Sequence, residues 1–113
     1  MATPKWNKTL SEVLNQPTVS LELVSEKTGN VYQTDVIRQL KVLSTGSVEE
    51  KDGKYLYLVV DSKNDLEYKI KVPNRVETSF GKILQFENVR GGALSNGLGW
   101  YAADSVAVVQ RNA

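Results

Sequence analysis

Two alternating pairs of side chains in the middle of the chain have the types and spacing that suit a single-stranded nucleic acid. Tyr55 and Tyr57 lie two residues apart in one predicted strand, and Lys69 and Lys71 lie two residues apart in the next. Side chains two residues apart share one face of a strand. Aromatic rings stack on bases, and ammonium groups bind the phosphates along the strand. If both pairs occupy the same face of a sheet, the pattern predicts a track for single-stranded DNA.

Further cations and rings extend this candidate surface. Residues 63–90 carry six Lys and Arg against four Asp and Glu, whereas acids exceed cations by one in residues 1–61. The alternative, which the sequence leaves open, is that the tyrosines and Trp100 belong to the core and that the lysines form a solvated face. The predicted nucleic-acid-binding residues are Tyr55, Tyr57, Lys69, Lys71, Arg75, Lys82, Arg90, Trp100 and Tyr101.

The residue types argue against an enzyme. The sequence has no Cys and no His, so it lacks a cysteine nucleophile, thiolate ligands and the usual general base. Glu49, Glu50 and Asp52 cluster in a predicted turn, where solvated charge is the simplest interpretation. The Gly91-Gly92 pair lacks the Lys-Ser/Thr of a phosphate-binding loop. We therefore predict a non-enzymatic protein with no cofactor and no metal site.

Length and composition predict one folded domain. The chain has 113 residues, 41% of them hydrophobic, and a formal net charge of +1. This charge balance does not by itself indicate nucleic acid or an anionic membrane as the partner. The longest apolar stretch, residues 55–60, is far shorter than the ~20 residues of a membrane-spanning helix. We expect a cytoplasmic protein with no membrane partner.

Residues 1–16 differ from the rest of the chain. Their apolar residues have helical spacing, and Thr9 or Ser11 is placed to cap a short amphipathic helix that Pro17 would end. A frayed terminal arm is the alternative. The residues at helical spacing are Trp6, Leu10, Val13 and Leu14.

Residues 17–113 predict a single all-β domain. Residues 35–44 fit a strand or a helix, and we favour the strand, ended by Thr45-Gly46; glycines make 91–99 a predicted loop. Five to seven short antiparallel strands predict a small, partly open barrel of the oligonucleotide/oligosaccharide-binding (OB) kind, with an SH3-like barrel or a sandwich as alternatives. The predicted strands are 19–24, 31–34, 54–61, 66–72, 82–90 and 105–110.

Three stretches of the C-terminal half form a recognisable succession. Residues 68–73 end in an apolar-Pro step, residues 86–89 read apolar-Glu-Asn-apolar, and residues 100–106 combine Trp-Tyr with Ala-Asp and a last apolar strand. This succession resembles the helicase-processivity factors of integrative conjugative elements, small accessory proteins encoded by conjugative transposons and plasmids of Gram-positive bacteria. The resemblance covers residues 55–110. The Trp-Tyr to Ala-Asp spacing is one residue shorter than the family's usual form, and the first 16 residues are additional.

The resemblance implies a function and partners. It implies assistance to a replicative helicase, together with a relaxase, during rolling-circle copying or transfer of a mobile element, with Trp100, Tyr101 and Asp104 as signature residues. The hypothesis is a non-enzymatic module in the DNA transactions of a plasmid, conjugative transposon or phage. The alternative is a protein-interaction or structural β-module without nucleic-acid contact. A homodimer formed through 106–109 as an edge strand is a further prediction.

Overall fold

One long strand pairs with three of the other six strands of the sheet. The computed structural model describes residues 3–6, 9–25 and 28–109. Its sheet has seven strands in the order β1-β2-β3-β4-β6-β5-β7, and β2 also pairs with β5. The elements are α1 (Leu10–Leu14), β1 (Val19–Val24), β2 (Val31–Lys51), β3 (Lys54–Asp61), β4 (Leu66–Val72), β5 (Ile83–Ala93), β6 (Gly99–Ala102) and β7 (Ser105–Val109).

The sheet closes into a barrel because β2 has two partners. Its residues 37–43 pair with β5 and its residues 43–51 pair with β3. On the far side, β4 meets β6 in a parallel pair at Lys71 and Ala102, where the Ala103 N–H donates to the Lys71 carbonyl at 2.9 Å. The result is a closed five-stranded barrel with two extra strands and one short helix. The predicted all-β, OB-like fold is confirmed, and the barrel is closed rather than partly open.

Residues 35–44 are strand, as favoured from the sequence. Leu40 and Val42 point into the barrel at the two-residue period, while Arg38 and Lys41 are exposed. The predicted stop at Thr45-Gly46 is wrong. A register shift between Ser44 and Val48 absorbs these residues, and the strand continues to Lys51. The Thr45 hydroxyl supports this bulge by donating to the Leu58 carbonyl at 2.9 Å.

The predicted pair of exposed tyrosines on β3 is wrong. Tyr57 is fully buried inside the barrel, where its ring meets Phe86 edge-on at 6.1 Å. Its hydroxyl accepts a hydrogen bond from the Val76 N–H at 2.8 Å. Tyr55 points to the same side and packs half-buried against the core. Because the tyrosines fill the interior, Leu56 and Leu58 face outward.

The predicted N-terminal helix is present and short. The Thr9 hydroxyl accepts from the Glu12 N–H at 3.4 Å, so Thr9 is the cap, and Asn15 in a left-handed conformation ends the helix before Pro17. Leu10 and Leu14 are buried in the barrel core. Residues 1, 2, 7 and 8 of the predicted arm, residues 26 and 27 of the turn that follows β1, and Gln110 of the predicted last strand lie outside the described residues.

The predicted loop 91–99 is wrong at both ends. Strand β5 runs through Gly91 and Gly92 to Ala93, and β6 begins at Gly99. Leu84, Phe86 and Val89 all lie inside, because Asn88 at φ 53° shifts the alternation of β5 by one residue.

Within residues 3–6, 9–25 and 28–109, no helix is long and apolar enough to cross a membrane.

The Tyr57 hydroxyl gives a direct test of the interior assignment. Tyr57→Phe should lower the free energy of unfolding by about 1–2 kcal/mol, because it leaves the Val76 N–H without its partner. Tyr55→Phe is the matched control and should change stability little, since none of the described residues bonds to that hydroxyl. Urea denaturation of both variants makes the comparison. Equal effects of the two substitutions would contradict the assignment.

Candidate nucleic-acid interface

A groove of about 1120 Å³ runs over the outer face of β3, β4 and β6. The end of the β1–β2 hairpin, with Leu23 and Tyr32, forms one wall, and the β5–β6 loop, with Leu94 and Leu98, forms another. Strand register explains the floor. Since Tyr57 and Tyr68 point inward, the alternate residues of β3 and β4 must point outward. Those that line the floor are Lys54, Leu56, Leu58, Lys69 and Lys71.

Two cations of the groove lie on either side of a small residue. Lys71 on β4 pairs with Ala102 on β6, and Ala102 pairs in turn with Arg90 on β5. Neighbouring strands are ~4.8 Å apart, so the Lys71 and Arg90 backbones lie roughly 10 Å apart with Ala102 between them. A methyl group between two cations leaves room for an anionic group of a ligand.

Trp100 is the largest exposed ring on this surface, at 46% exposure. It lies opposite Gly92 in the β5–β6 pair. A Cβ atom built on Gly92 would come within 2.6 Å of the Trp100 Nε1 atom and 3.0 Å of Cζ2. The indole therefore packs over the Gly92 backbone, which leaves the rest of the ring open to the groove.

Tyr101 borders the groove, but its ring belongs to the core, so its predicted role as a binding ring is wrong. The ring is buried between Tyr68, at 5.1 Å, and Trp6, at 6.2 Å. Burial raises the pKa of Tyr101 to about 12, and burial with the Asp61 charge raises the pKa of Tyr68 further. Neither hydroxyl has a hydrogen-bond partner among the described residues. Gly91 and Gly99 provide the space that Tyr101 and Trp6 occupy.

The cations of the groove differ in how firmly they are held. Lys54 and Lys71 make no ion pair within the described residues. Lys69 pairs with Glu49 at 3.0 Å, and both side chains are about half exposed. Such a pair contributes ~0–1 kcal/mol, so a phosphate can replace the carboxylate at small cost. Two carboxylates, Glu67 and Asp104, also line the groove.

Arg90 is held in place by Asp104. Its Nη1 donates to Asp104 Oδ1 at 2.7 Å and to the Asn88 carbonyl at 3.2 Å, while the Asn88 amide donates to Asp104 Oδ2 at 2.8 Å. Burial by itself would raise the pKa of the Asp104 carboxyl. The hydrogen bonds from Asn88 and Arg90 and the Arg90 charge outweigh burial and lower that pKa. The guanidinium therefore faces the groove in a fixed orientation.

The structure brings together four of the predicted site residues: Lys69, Lys71, Arg90 and Trp100 all line the groove with outward side chains. Arg75 and Lys82 are exposed but do not line it. Of the predicted site residues, the groove therefore keeps Lys69, Lys71, Arg90 and Trp100, whereas the rings of Tyr55, Tyr57 and Tyr101 belong to the core.

Sequence reasoning missed Tyr32, Lys54, Leu56 and Leu58. One signal for the leucines was present, since residues 55–60 are apolar on both faces of the strand. A strand of that kind is covered on both sides or bears a binding surface. For Tyr32 we find no signal in the sequence, because only tertiary structure brings the hairpin to the groove wall.

Within the described ranges, no group of three or more Asp, Glu, His or Cys side chains could hold a metal ion. Comparison of the chain with protein-family models, with curated proteins and with solved structures finds no match.

The two neighbouring glycines of β5 should respond differently to alanine. Gly92→Ala should change the Trp100 indole N–H signal in a ¹H–¹⁵N NMR spectrum, with a stability loss under about 1 kcal/mol, because the side chain can swing away. Gly91→Ala should cost about 1–3 kcal/mol, since its Cβ would meet the Trp100 carbonyl oxygen at 2.5 Å and backbone cannot move aside. An unchanged indole signal in Gly92→Ala would contradict the packing.

Asp104 should make stability depend on pH. Its folded-state pKa lies below the ordinary value of 3.8, so its contribution is complete above the unfolded-state pKa and is lost as pH falls through the folded one. Asp104→Asn should therefore be less stable than wild type above about pH 4, and the difference should vanish at lower pH. Urea denaturation from pH 2 to pH 6 tests this. In an Arg90→Gln background the difference should be smaller, because the guanidinium is one of its causes.

Proposed function

We propose that the protein is a non-enzymatic module that binds single-stranded DNA in the groove. One observation carries the proposal. The same groove is lined by the exposed rings of Trp100 and Tyr32, by the leucine floor, and by Lys54 and Lys71, whose ammonium groups make no ion pair with any described residue. Rings for bases and cations for phosphates are the two components of sequence-tolerant single-strand binding. The outer face of the central strands and the adjoining loops also form the ligand surface of OB barrels in general.

Each part of the groove has a role in this proposal. Trp100 stacks on one base, and Tyr32 on the opposite wall stacks on another. Leu56 and Leu58 pack beneath the bases. Lys71 and Arg90 bind a phosphate above Ala102, and Lys54 binds the nucleic-acid backbone at the start of β3. The Glu67 and Asp104 carboxylates limit the net positive charge of the surface, so stacking contributes a large share of the affinity.

The energies expected from stacking and from phosphate contacts give a modest affinity for single-stranded DNA. Two stacked bases contribute roughly 2–6 kcal/mol before ordering costs. About four phosphate contacts give a log–log salt slope near −3 for a single strand. These values describe a salt-sensitive binder in the micromolar range, suited to acting beside another protein on the same strand.

The resemblance to helicase-processivity factors supports a more specific role. We propose that the module assists a replicative helicase and a relaxase on the single strand of a mobile element. Of the signature residues, Trp100 lies in the groove and Asp104 orients Arg90 toward it, so two of the three serve the proposed binding surface. The second candidate is a protein-interaction module. The concentration of exposed valines on the β1–β2 hairpin favours that candidate.

Fluorescence anisotropy with a labelled oligo-dT at low salt tests direct binding. Trp100→Ala should raise Kd roughly 5- to 150-fold, the equivalent of ~1–3 kcal/mol of stacking. Lys71→Ala should weaken binding and lower the salt slope by about 0.7, as expected for one lost phosphate contact.

Lys82→Ala is the matched control, because this cation is exposed and lies outside the groove. Its Kd and salt slope should stay near the wild-type values. Absence of binding by the wild-type protein at low salt would sink the DNA proposal. Equal losses in Lys71→Ala and Lys82→Ala would show that net charge, rather than the groove, determines binding.

A further inference from the structure

The β1–β2 hairpin, formed by β1 and residues 31–36 of β2, is a two-stranded ribbon with two unpaired edges. Strand β1 pairs only with residues 31–36 of β2. The pairing of β2 with β5 begins at Ile37 and that with β3 at Leu43. Among the described strands, none therefore pairs with the outer edge of β1. A two-stranded ribbon is marginally stable in water, whereas three or more strands with an apolar face are stable.

The hairpin also concentrates exposed apolar surface. Val24 and Val31 at its end are 63% and 59% exposed. With Val19 and Tyr32, they make up four of the seven large hydrophobic side chains that are exposed among the described residues. Apart from the exposed Glu22, strand β1 has no charged residue, and it has no proline or bulge to protect its edge. Natural edge strands normally carry such devices to prevent pairing with another chain.

We propose that β1 pairs with β1 of a second copy of this chain, antiparallel and about a two-fold axis at Leu21. In this register Leu21 faces its own symmetry mate, Val19 faces Leu23, and Ser20 faces Glu22. Apolar side chains then meet apolar side chains, and the two ribbons form one four-stranded sheet. The contact is isologous, as closed two-fold dimers require.

Other registers are worse for physical reasons. A shift of one residue places Leu21 opposite Glu22 and joins the apolar face of one ribbon to the polar face of the other. A two-fold axis at Glu22 places two carboxylates directly opposite each other, which is destabilising. An axis at Ser20 brings Leu23 opposite Pro17, which has no N–H to donate. The axis at Leu21 avoids all three of these faults.

The other edge of the sheet fits a partner less well. In β7, the dimer edge predicted from the sequence, Val106 is buried, Val108 and Val109 are half-buried, and Ala107 is the exposed side chain. Its valines are already packed within the monomer. On β1, by contrast, Val19 and Val24 are exposed, at 46% and 63%.

Sedimentation velocity of the full chain across the micromolar range, without DNA, tests the dimer. Wild type should show a monomer–dimer equilibrium. Ser20→Glu should weaken it roughly 2- to 30-fold, because two pairs of like charges then face each other across the axis. Adding Glu22→Lys to Ser20→Glu should restore or tighten it, since each pair then has opposite charges.

Two controls separate the interface from general effects. Glu22→Lys alone should change dimerisation little, because it faces the neutral Ser20 of the second copy. Ala107→Glu on the β7 edge should leave the equilibrium unchanged. Monomeric wild type throughout this range, failure of the double variant to restore the dimer, or a stronger effect of Ala107→Glu than of Ser20→Glu would each overturn the proposal. None of these outcomes depends on DNA binding, so the dimer and the proposed function are tested separately.

Discussion

The pairing of β2 with both β3 and β5 is the constraint on which the rest of the structure depends. If β2 paired with only one neighbour, the sheet would stay open. The alternating sequence pattern would then not decide which of its two faces is buried. Because β2 bends at the register shift between Ser44 and Val48 and joins both neighbours, the sheet acquires an inside and an outside. Each strand with alternating side chains then turns one face toward the core. The side chains of Tyr57 and Phe86 point inward, and the lysines of β4 point outward.

Glycines and aromatic rings act as complementary parts at the end of β5. Gly91, Gly92 and Gly99 have no Cβ where the rings of Tyr101, Trp100 and Trp6 need to lie. The glycines thus let two strands pair closely while large rings cross them, an arrangement in which rings cover the backbone that glycine leaves bare. As a result, two adjacent rings point in opposite directions, because Trp100 faces the groove and Tyr101 faces the core.

The groove and the hairpin are connected through Tyr32 and Leu23, which belong to the hairpin and line the groove. A dimer through β1 would hold two such grooves in fixed relation. Two linked sites on one strand bind with a higher effective concentration than either site alone. In such a dimer, the second groove would reinforce the modest affinity proposed for one groove.

Much of the fold follows from local pattern. The strict alternation of residues 66–72 identified β4, the Lys51-Asp52-Gly53 turn located the start of β3, and Thr9 capped the helix as its type and position indicated. Glycine content misled at residues 91–99, because the sequence does not show that rings from elsewhere would cover Gly91 and Gly92. The predicted strand end at Thr45-Gly46 was wrong for a similar reason. A β-bulge in the folded sheet accommodates these two residues, so the strand continues instead of turning.

The candidate site, like the fold, was predicted only in part from the sequence. The sequence by itself determined a chain of mostly β-strands with a lysine face on β4, but it left open whether Trp100 is exposed or belongs to the core. Only the tertiary structure decided that Tyr55 and Tyr57 lie inside, that Leu56 and Leu58 lie outside, and that Tyr32 and Trp100 line the groove with these leucines. The physical reason is that both faces of β3 are apolar, so the two-residue period fixes which side chains share a face but not which face closure of the barrel buries.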